Sequence, residues 1–175
     1  MISGGGYCEF INNIKAAKRI VLDLNTDVEK FAGHDVQVLV SSSTNIKSIA
    51  DASCDIAFAS NFFEHLTKQD IIDTVKEICR ILKEKGNFLV LQPNIRFCYK
   101  DYWNFFDHIT PLDDKSLREV LETNGFNIVE LKAKFLPYST KSKLPKNIFL
   151  IKLYLKMAFL HHIFGKQAFL VAQKA

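Results

Sequence analysis

The sequence predicts an α/β fold, in which a mostly parallel sheet is doubly wound and carries helices on both faces. Short apolar runs typical of buried strands alternate with longer segments whose apolar residues recur at helical spacing. The chain has 175 residues, of which 48% are hydrophobic and 24% charged, and this is the size and composition of one globular domain. We therefore expect residues 1–175 to form a single domain.

The N-terminal part supplies the first predicted elements. A glycine loop at residues 4–6 precedes a helix expected over residues 7–17. Residues 26–31 suit a short helical turn. Short apolar runs, one of them ending in an acid, predict strands over residues 19–24, 36–40 and 55–60.

The same alternation continues to the C-terminus. Thr67 is a good N-cap, and the amphipathic helix that follows is expected to end at about Lys85, before Gly86. The remaining predicted elements are a strand over 87–91, an aromatic loop over 94–112, a helix from 113 to Gly125, a strand over 126–135, a connection over 136–146, a helix over 147–164 and a strand over 167–173. The last strand follows a helix at the chain end, so we expect it to lie antiparallel at or near an edge of the sheet.

The net charge of +4 is unevenly distributed along the chain. Residues 131–175 hold nine lysines and no acid, whereas residues 1–130 hold 14 basic and 19 acidic residues, a net charge of −5. An acid-free basic segment indicates contact with an anionic surface or substrate.

The four cysteines show neither a C-x-x-C spacing nor a cysteine/histidine cluster with zinc spacing. They are expected to be reduced thiols of a cytoplasmic protein, and no metal site is predicted. The first residues carry no signal-peptide pattern.

Four segments of the chain, taken in order, resemble a known family. They are residues 4–10 (Gly-Gly-Gly-Tyr-Cys-Glu-Phe), 21–25 (Val-Leu-Asp-Leu-Asn), 55–66 and 80–90. The set is similar to the class I S-adenosylmethionine-dependent methyltransferases of the small-molecule type, which have a Rossmann-like, seven-stranded sheet. Residues 107–117 and 135–138 also resemble methyltransferases of sugar-polymer biosynthesis. The resemblance implies S-adenosyl-L-methionine as cofactor and methyl transfer to a small-molecule or saccharide acceptor.

The resemblance also implies which residues hold the cofactor. A glycine-rich turn lets the backbone approach a ligand, and a carboxylate at the tip of the second strand can accept both ribose hydroxyls. An aromatic ring near a sulfonium is favourable. The expected cofactor-binding residues are Gly4, Gly6, Asp23, Ser42, Ser43, Asn61 and Phe62. The alternatives are a cap or turn role for Asp23 and a core position for Phe62.

Four departures from the family pattern stand in the first quarter of the chain. Ile2 occupies the position of an acid, and Cys8 replaces the third glycine. The resemblance begins after the family's first strand, so we expect an N-terminally truncated domain that lacks this central strand. Ser42, in place of an acid, can bond adenine only without charge assistance.

His108 is the candidate general base, because it falls in a loop after the carboxyl end of a strand, where ligands bind in open α/β sheets. Asp107 is expected to orient and stabilise it. The alternative is that His108 only bonds the backbone of an ordered loop. His65 either lines the same cleft or caps the next helix. Aromatic residues before His108, from Tyr99 to Phe106, form either an acceptor lid or a hydrophobic plug.

Residues 136–166 are expected to form a basic, apolar helical insertion before the last strand. The helix either covers one face of the sheet or lies on a membrane surface, with contact through residues 141–164 and anionic headgroups near Lys141, Lys143 and Lys146. No nucleic acid is expected as a partner, since the basic segment lacks a reader module and an aromatic platform.

Two function classes remain open at this level. The first is the methyltransferase, and the second is a non-catalytic remnant or interaction module of the same fold. A nicotinamide-dependent enzyme is disfavoured, because the third glycine of the dinucleotide fingerprint is absent after Gly6.

Overall fold

The computed structural model describes residues 1–4, 6–138 and 148–175, and it contains one mixed sheet. The strands of this described part are β1 (Ile2–Ser3), β2 (Arg19–Asp23), β3 (Val36–Val40), β4 (Cys54–Ser60), β5 (Leu82–Pro93), β6 (Phe126–Lys132) and β7 (Gln167–Lys174). Their spatial order is β3-β2-β1-β4-β5-β7-β6. The first five strands pair in parallel, and β7 runs antiparallel between β5 and β6. The predicted fold class and the antiparallel last strand are thereby confirmed.

Helices flank this sheet. They are α1 (Glu9–Asn13), α2 (Val28–Phe31), α3 (Lys68–Ile81), α4 (Ile95–Tyr102), α5 (Asp114–Glu122), α6 (Ile148–Lys156) and α7 (Ala158–Phe164), with a 3₁₀ turn at Phe63–His65. The larger core cluster joins α3 and α5 to the sheet, and a smaller cluster lies under α1 and α2. Apolar residues thus fill both faces, as a doubly wound sheet requires.

The central strand is present, which corrects the expectation that it is lacking. β1 pairs with β2 and with β4 through two residues, Ile2 opposite Val21 and Phe58, and Ser3 opposite Leu22 and Ala59. The Met1 ammonium donates to the Ile56 carbonyl at 2.7 Å. The backbone of the first three residues therefore fills the middle of the sheet at its carboxyl end.

A cavity of about 410 Å³ lies beside the amino ends of β2 and β4, next to Met1. Its lining includes Phe10, Ile14, Ile20 and Ile56. β1 is two residues long whereas its neighbours have five and seven, so the amino ends of β2 and β4 extend past it beside this cavity.

Strand β5 begins earlier than predicted. The helix α3 ends at Ile81, and Leu82 already pairs with Cys54 of β4. The pairing is interrupted by a register shift, after which Ile56 pairs with Asn87. Lys85, expected in the helix, has a positive φ of 59° in this irregular segment.

The predicted loop over residues 94–112 contains the helix α4. The Asn94 side chain caps it by accepting a hydrogen bond from the Arg96 backbone N–H at 3.2 Å. Cys98 and Tyr102 are its buried residues, and the Tyr102 hydroxyl donates to the Thr110 carbonyl at 2.7 Å. Tyr102 therefore belongs to the core of this segment rather than to a lid.

The predicted helix over 147–164 consists of two helices that meet at Met157. The His161 ring lies 3.0 Å from the Tyr154 carbonyl, so this carbonyl has a side-chain partner at the break. No residue of α6 is buried, which argues against a helix that covers the sheet.

Lys141, Lys143 and Lys146 lie outside the described residues. None of the described helices combines the length and apolar character needed to cross a membrane.

All four cysteines are free thiols. Cys8, Cys54 and Cys98 are buried, whereas Cys79 on α3 is partly exposed. Burial raises the pKa of the Cys79 thiol above its usual 9.0.

Candidate active site

The carboxyl ends of the parallel strands β1 to β5 meet at one edge of the sheet, and the candidate residues follow directly from them. Gly4 follows β1, Asp23 ends β2, Ser42 comes shortly after β3, and Asn61 follows β4. Ligands of open α/β sheets bind at this edge. The topology thus brings the separately predicted residues to the same place.

The glycine loop is joined to the end of β2. The Gly6 N–H donates to Asp23 Oδ2 at 3.2 Å, and Asp23 Oδ1 accepts from the Asn25 N–H at 2.9 Å. Gly4 and Gly6 have positive φ values of 69° and 48°. A Cβ on Gly4 would lie 2.8 Å from the Phe62 ring, so only glycine lets this loop approach Phe62.

The two serines after β3 differ in availability. The Ser42 hydroxyl is only partly buried and lies 2.8 Å from the Thr44 hydroxyl. The Ser43 hydroxyl is buried and lies 2.7 Å from the Thr74 hydroxyl of α3. Ser42 can therefore face a ligand, whereas Ser43 ties this loop to the helix.

Asn61 and Phe62 follow β4 in the order that the sequence predicts. Asn61 is exposed, has a φ of 47°, and its backbone N–H donates to the Leu91 carbonyl. Phe62 is partly buried and lies between the Gly4 loop and the Phe63 ring, whose centroid is 5.9 Å away. Phe62 thus contributes both to the core and to the surface below the glycine loop.

A second group of polar residues lies next along the same edge. Glu64 and His65 belong to the 3₁₀ turn, and the segment after α4 brings His108 beside them. The Ile109 and Thr110 N–H groups both donate to the Glu64 carbonyl, at 2.7 and 3.1 Å. These bonds fix residues that are distant in sequence in one cluster.

Asp107 contacts His65 rather than orienting His108. Its carboxylate and its carbonyl oxygen each lie 3.2 Å from His65 Nδ1. The His108 ring is stacked on Phe105, with centroids 5.0 Å apart, and lies edge-on to His65 at 5.2 Å. His108 is 8% exposed, and its Nδ1 has no hydrogen-bond partner within the described part of the chain.

Burial determines the protonation of this cluster. It lowers the pKa of His108 below 6.5, and the neighbouring His65 lowers it further, which favours the neutral imidazole. The Asp107 charge acts on this pKa in the opposite direction, as expected for a residue that stabilises the protonated ring, but it does not prevail. Burial also raises the pKa of Glu64 above 4.5, against its hydrogen bonds. A neutral imidazole with an available lone pair can accept a proton.

The exposed aromatic residues lie on the segment that carries His108. Tyr99, Trp103 and Phe106 are 60%, 58% and fully exposed. Phe105 is the ring that contacts both His108 and Tyr138. The predicted aromatic lid thus divides into exposed rings and the buried Tyr102.

Comparisons with known proteins agree with this geometry. Residues 3–90, half of the chain, match the family model described as a methyltransferase domain. The chain belongs to this methyltransferase family. Its cofactor is S-adenosylmethionine, and its reaction is methyl transfer. No curated protein matches the chain.

Solved structures of low sequence identity share the fold of the methyltransferase. A SAM-dependent methyltransferase from Archaeoglobus fulgidus is 21% identical with a TM-score of 0.71, over 99% of this chain and 84% of that one. A possible histamine N-methyltransferase from Thermotoga maritima is 18% identical with a TM-score of 0.73, covering 99% and 81%. A Haloferax volcanii putative methyltransferase, in complex with the Trm112 methyltransferase activator, is 18% identical with a TM-score of 0.70, covering 99% and 80%.

The residues at the carboxyl edge fit the cofactor in its ribose-binding part. Asp23 offers a partly exposed carboxylate beside the Gly6 N–H, which is what a pair of ribose hydroxyls requires. Ser43 does not fit a contact with adenine, because its hydroxyl is engaged by Thr74. The cofactor, when bound, supplies a methyl group on a positively charged sulfur.

Two polar residues of the cluster were missed by the sequence analysis. Glu64 is 1% exposed, and its Oε2 accepts a hydrogen bond of 2.8 Å from the equally buried Gln92. Neither residue gave a usable signal, since glutamate and glutamine are mostly exposed in proteins.

Proposed function

We propose that the methyltransferase acts on a hydroxyl group of a small molecule or saccharide. The observation that carries this proposal is the Nδ1 of the buried His108, which has no hydrogen-bond partner among the residues that the structure describes. It lies at the edge where Asp23 and the glycine loop offer a cofactor site. Methyl transfer to a hydroxyl needs a nearby group that accepts the hydroxyl proton.

In this proposal Asp23 accepts the ribose hydroxyls, and the backbone at Gly4 and Gly6 lies against the cofactor. Ser42 hydrogen-bonds adenine, while Ser43 only positions the loop. Asn61 and Phe62 lie beside the methionine part. The support is their common position after the carboxyl ends of adjacent strands.

His108 is the proposed proton acceptor. Asp107 positions His108 indirectly, because its carboxylate contacts His65 and the His65 ring lies against His108. A saccharide is the favoured acceptor class, because exposed Trp103 and Tyr99 can stack on a sugar ring. A role in polysaccharide biosynthesis would follow from that acceptor, and a cytoplasmic location agrees with the four free thiols.

The cofactor site is tested by calorimetry with S-adenosylhomocysteine. We expect Asp23→Ala to weaken binding at least tenfold, because a lost charged hydrogen bond costs about 1.5–3 kcal/mol. Asp27→Ala is the matched control, since Asp27 is an exposed acid whose carboxylate pairs with Lys30. Equal binding by both variants would contradict the assignment of Asp23.

The proton acceptor is tested by transfer of a radioactive methyl group to a panel of monosaccharides and nucleoside-diphosphate sugars. We expect His108→Gln to lower transfer on the order of 100-fold with unchanged S-adenosylhomocysteine affinity. His34→Gln, at an exposed histidine away from the site, should have no effect. Cofactor binding without transfer to any acceptor would instead favour the non-catalytic module.

We also propose that the whole chain is one domain with an insertion over residues 136–166, which contacts anionic membrane surfaces through residues 141–164. Exposed apolar residues of α6 and α7, among them Ile148, Ile151 and Ile163, support this contact, together with Lys152 and Lys156. Vesicles with and without phosphatidylserine provide the test by flotation. The contact would be contradicted if the protein floats with neither kind of vesicle. It would also be contradicted if the Ile151→Glu variant floats with the phosphatidylserine vesicles as well as the unaltered chain does.

A further inference from the structure

The carboxyl-edge cluster of Glu64, His65 and His108 has the donor set of a metal site. One ligand atom from each residue lies within 4.8 Å of the other two. Two imidazoles with one carboxylate form a set that suits zinc and its divalent neighbours better than magnesium or calcium.

The buried carboxylate of Glu64 lacks a cation within the described residues close enough to neutralise it. Its Oε2 accepts from Gln92, and its Oε1 lies 4.0 Å from His65 Nε2, too far for a hydrogen bond. The positively charged side chains that pair with acids in the described parts of the chain do so elsewhere. Because a buried charge is costly without a partner, the Oε1 side is suited to a bound cation.

His108 supplies the second, independent observation. Its ring is more than nine-tenths buried, and its Nδ1 is without a partner among residues 1–4, 6–138 and 148–175. A buried nitrogen without a hydrogen bond is unfavourable, because it has lost its contact with water and gained nothing in return. A metal ion would remove that penalty.

His65 already has the outer contact of a metal-binding histidine. Its Nδ1 is 3.2 Å from the Asp107 carboxylate, so Nδ1–H can donate there and Nε2 is left with its lone pair towards Glu64. A carboxylate on the far nitrogen fixes the tautomer and the ring orientation of metal ligands.

We propose that Glu64, His65 and His108 bind a divalent transition-metal ion, with zinc as the best fit. Ligand atoms around tetrahedral zinc are roughly 3.3 Å apart. Side-chain rotations that move the ligand atoms by about 1 Å would bring them to that separation. Three protein ligands leave a fourth position for water or another small ligand, and His65 is the partly exposed residue of the three.

One consequence of this binding rests on the proposed function. An ion on His108 uses a lone pair that the proton acceptor needs, so we expect zinc occupancy to inhibit methyl transfer and a chelator to restore it. Zinc binding without inhibition would overturn the role of His108 as base and leave the metal site intact. The binding measurements below do not depend on methyl transfer.

The metal site is tested by calorimetry of the full chain with zinc chloride. We expect one ion per chain, and at least tenfold weaker binding for Glu64→Gln and for His65→Ala. Asp107 is exposed, so Asp107→Asn should fold normally and still weaken binding 10- to 100-fold. His34→Ala is the matched control and should bind as the unaltered chain does.

Cobalt absorption identifies the ligands. We expect a tetrahedral cobalt spectrum without the sulfur-to-cobalt charge-transfer band that any of the four thiols would add. The proposal is wrong if zinc does not bind, if Glu64→Gln and Asp107→Asn both leave the affinity unchanged, or if the cobalt spectrum shows sulfur ligation.

Discussion

Gly4 combines an unusual backbone conformation with a close contact. Its φ is 69°, and an added Cβ would approach the Phe62 ring to 2.8 Å. Gly6 has a φ of 48° but open space where a Cβ would lie. Substitution of Gly6 therefore measures the free-energy cost of a positive φ alone, whereas substitution of Gly4 adds the cost of the steric contact with Phe62.

We expect Gly4→Ala to lower the free energy of unfolding by about 3 kcal/mol and Gly6→Ala by about 1 kcal/mol. The difference arises because Phe62 must move only in the first variant. Urea denaturation followed by circular dichroism measures both values. Equal losses would show that Phe62 yields at no cost.

At the residue scale, the sequence predicts which residues follow the carboxyl ends of the strands better than it predicts the contacts that their side chains make. Asp23 and Gly6 were each predicted for the cofactor site, and a hydrogen bond now joins them. The contact of Asp107 with His65, in place of His108, could not be predicted, because adjacent residues of a loop direct their side chains differently. Ser43 is turned to Thr74 for the same reason.

Helix α5 begins with a complete capping box. Asp113 accepts hydrogen bonds from the Lys115 and Ser116 N–H groups at 3.0 and 2.7 Å, and the Ser116 hydroxyl donates to the Asp113 carboxylate. Burial acts to raise the pKa of Asp113, but these hydrogen bonds prevail and hold it below 3.8.

We expect Asp113→Ala to cost about 1 kcal/mol of unfolding free energy near neutral pH. Because the folded-state pKa lies below the ordinary value, this stabilisation is complete above pH 3.8 and is lost as the pH falls through the lower folded-state value. Urea midpoints at neutral and acidic pH measure the effect. Glu119 is an exposed acid on the same helix, so Glu119→Ala is the control. The assignment would be contradicted if the stability difference between the unaltered chain and Asp113→Ala grew at acidic pH.

At the element scale, helices with strong periodicity were predicted and irregular segments were not. Helix α3 has its N-cap at Thr67 as predicted. Helix α4 lies where the sequence predicts a loop, because its aromatic residues are exposed as well as buried and give no clear apolar stripe. The early start of β5 depends on pairing with β4, which no local pattern contains.

The pairing within the sheet predicts how protection is distributed over the whole molecule. β5 pairs on both sides, with β4 and β7, while α6 has no buried residue. The free energy of local opening, which sets the exchange rate of an amide hydrogen, is larger where the segment is paired and buried. We expect amide hydrogens of β5 to exchange at least 100-fold more slowly than those of α6, as measured by exchange with mass spectrometry. Comparable rates in both segments would mean that α6 is covered in solution.

At this scale the sequence predicts the layers but not the position of each strand. Alternation of strands and helices indicates the doubly wound architecture, and the resemblance supplied the expected number of strands. The two-residue β1 was not predicted, because two residues are too few to show a strand pattern. Its strand character comes from its backbone pairing with β2 and β4.

The uneven burial of the thiols makes the molecule suitable for single-site labelling. Cys79 is the partly exposed one, and it lies eleven residues beyond the start of α3, roughly 16 Å along the helix from the end that follows His65. A maleimide fluorophore or a mercury atom attached there would leave the carboxyl edge untouched. Since burial raises the thiol pKa, the attachment should proceed faster in mildly alkaline buffer. One native cysteine thus offers both a phasing site and an optical reporter.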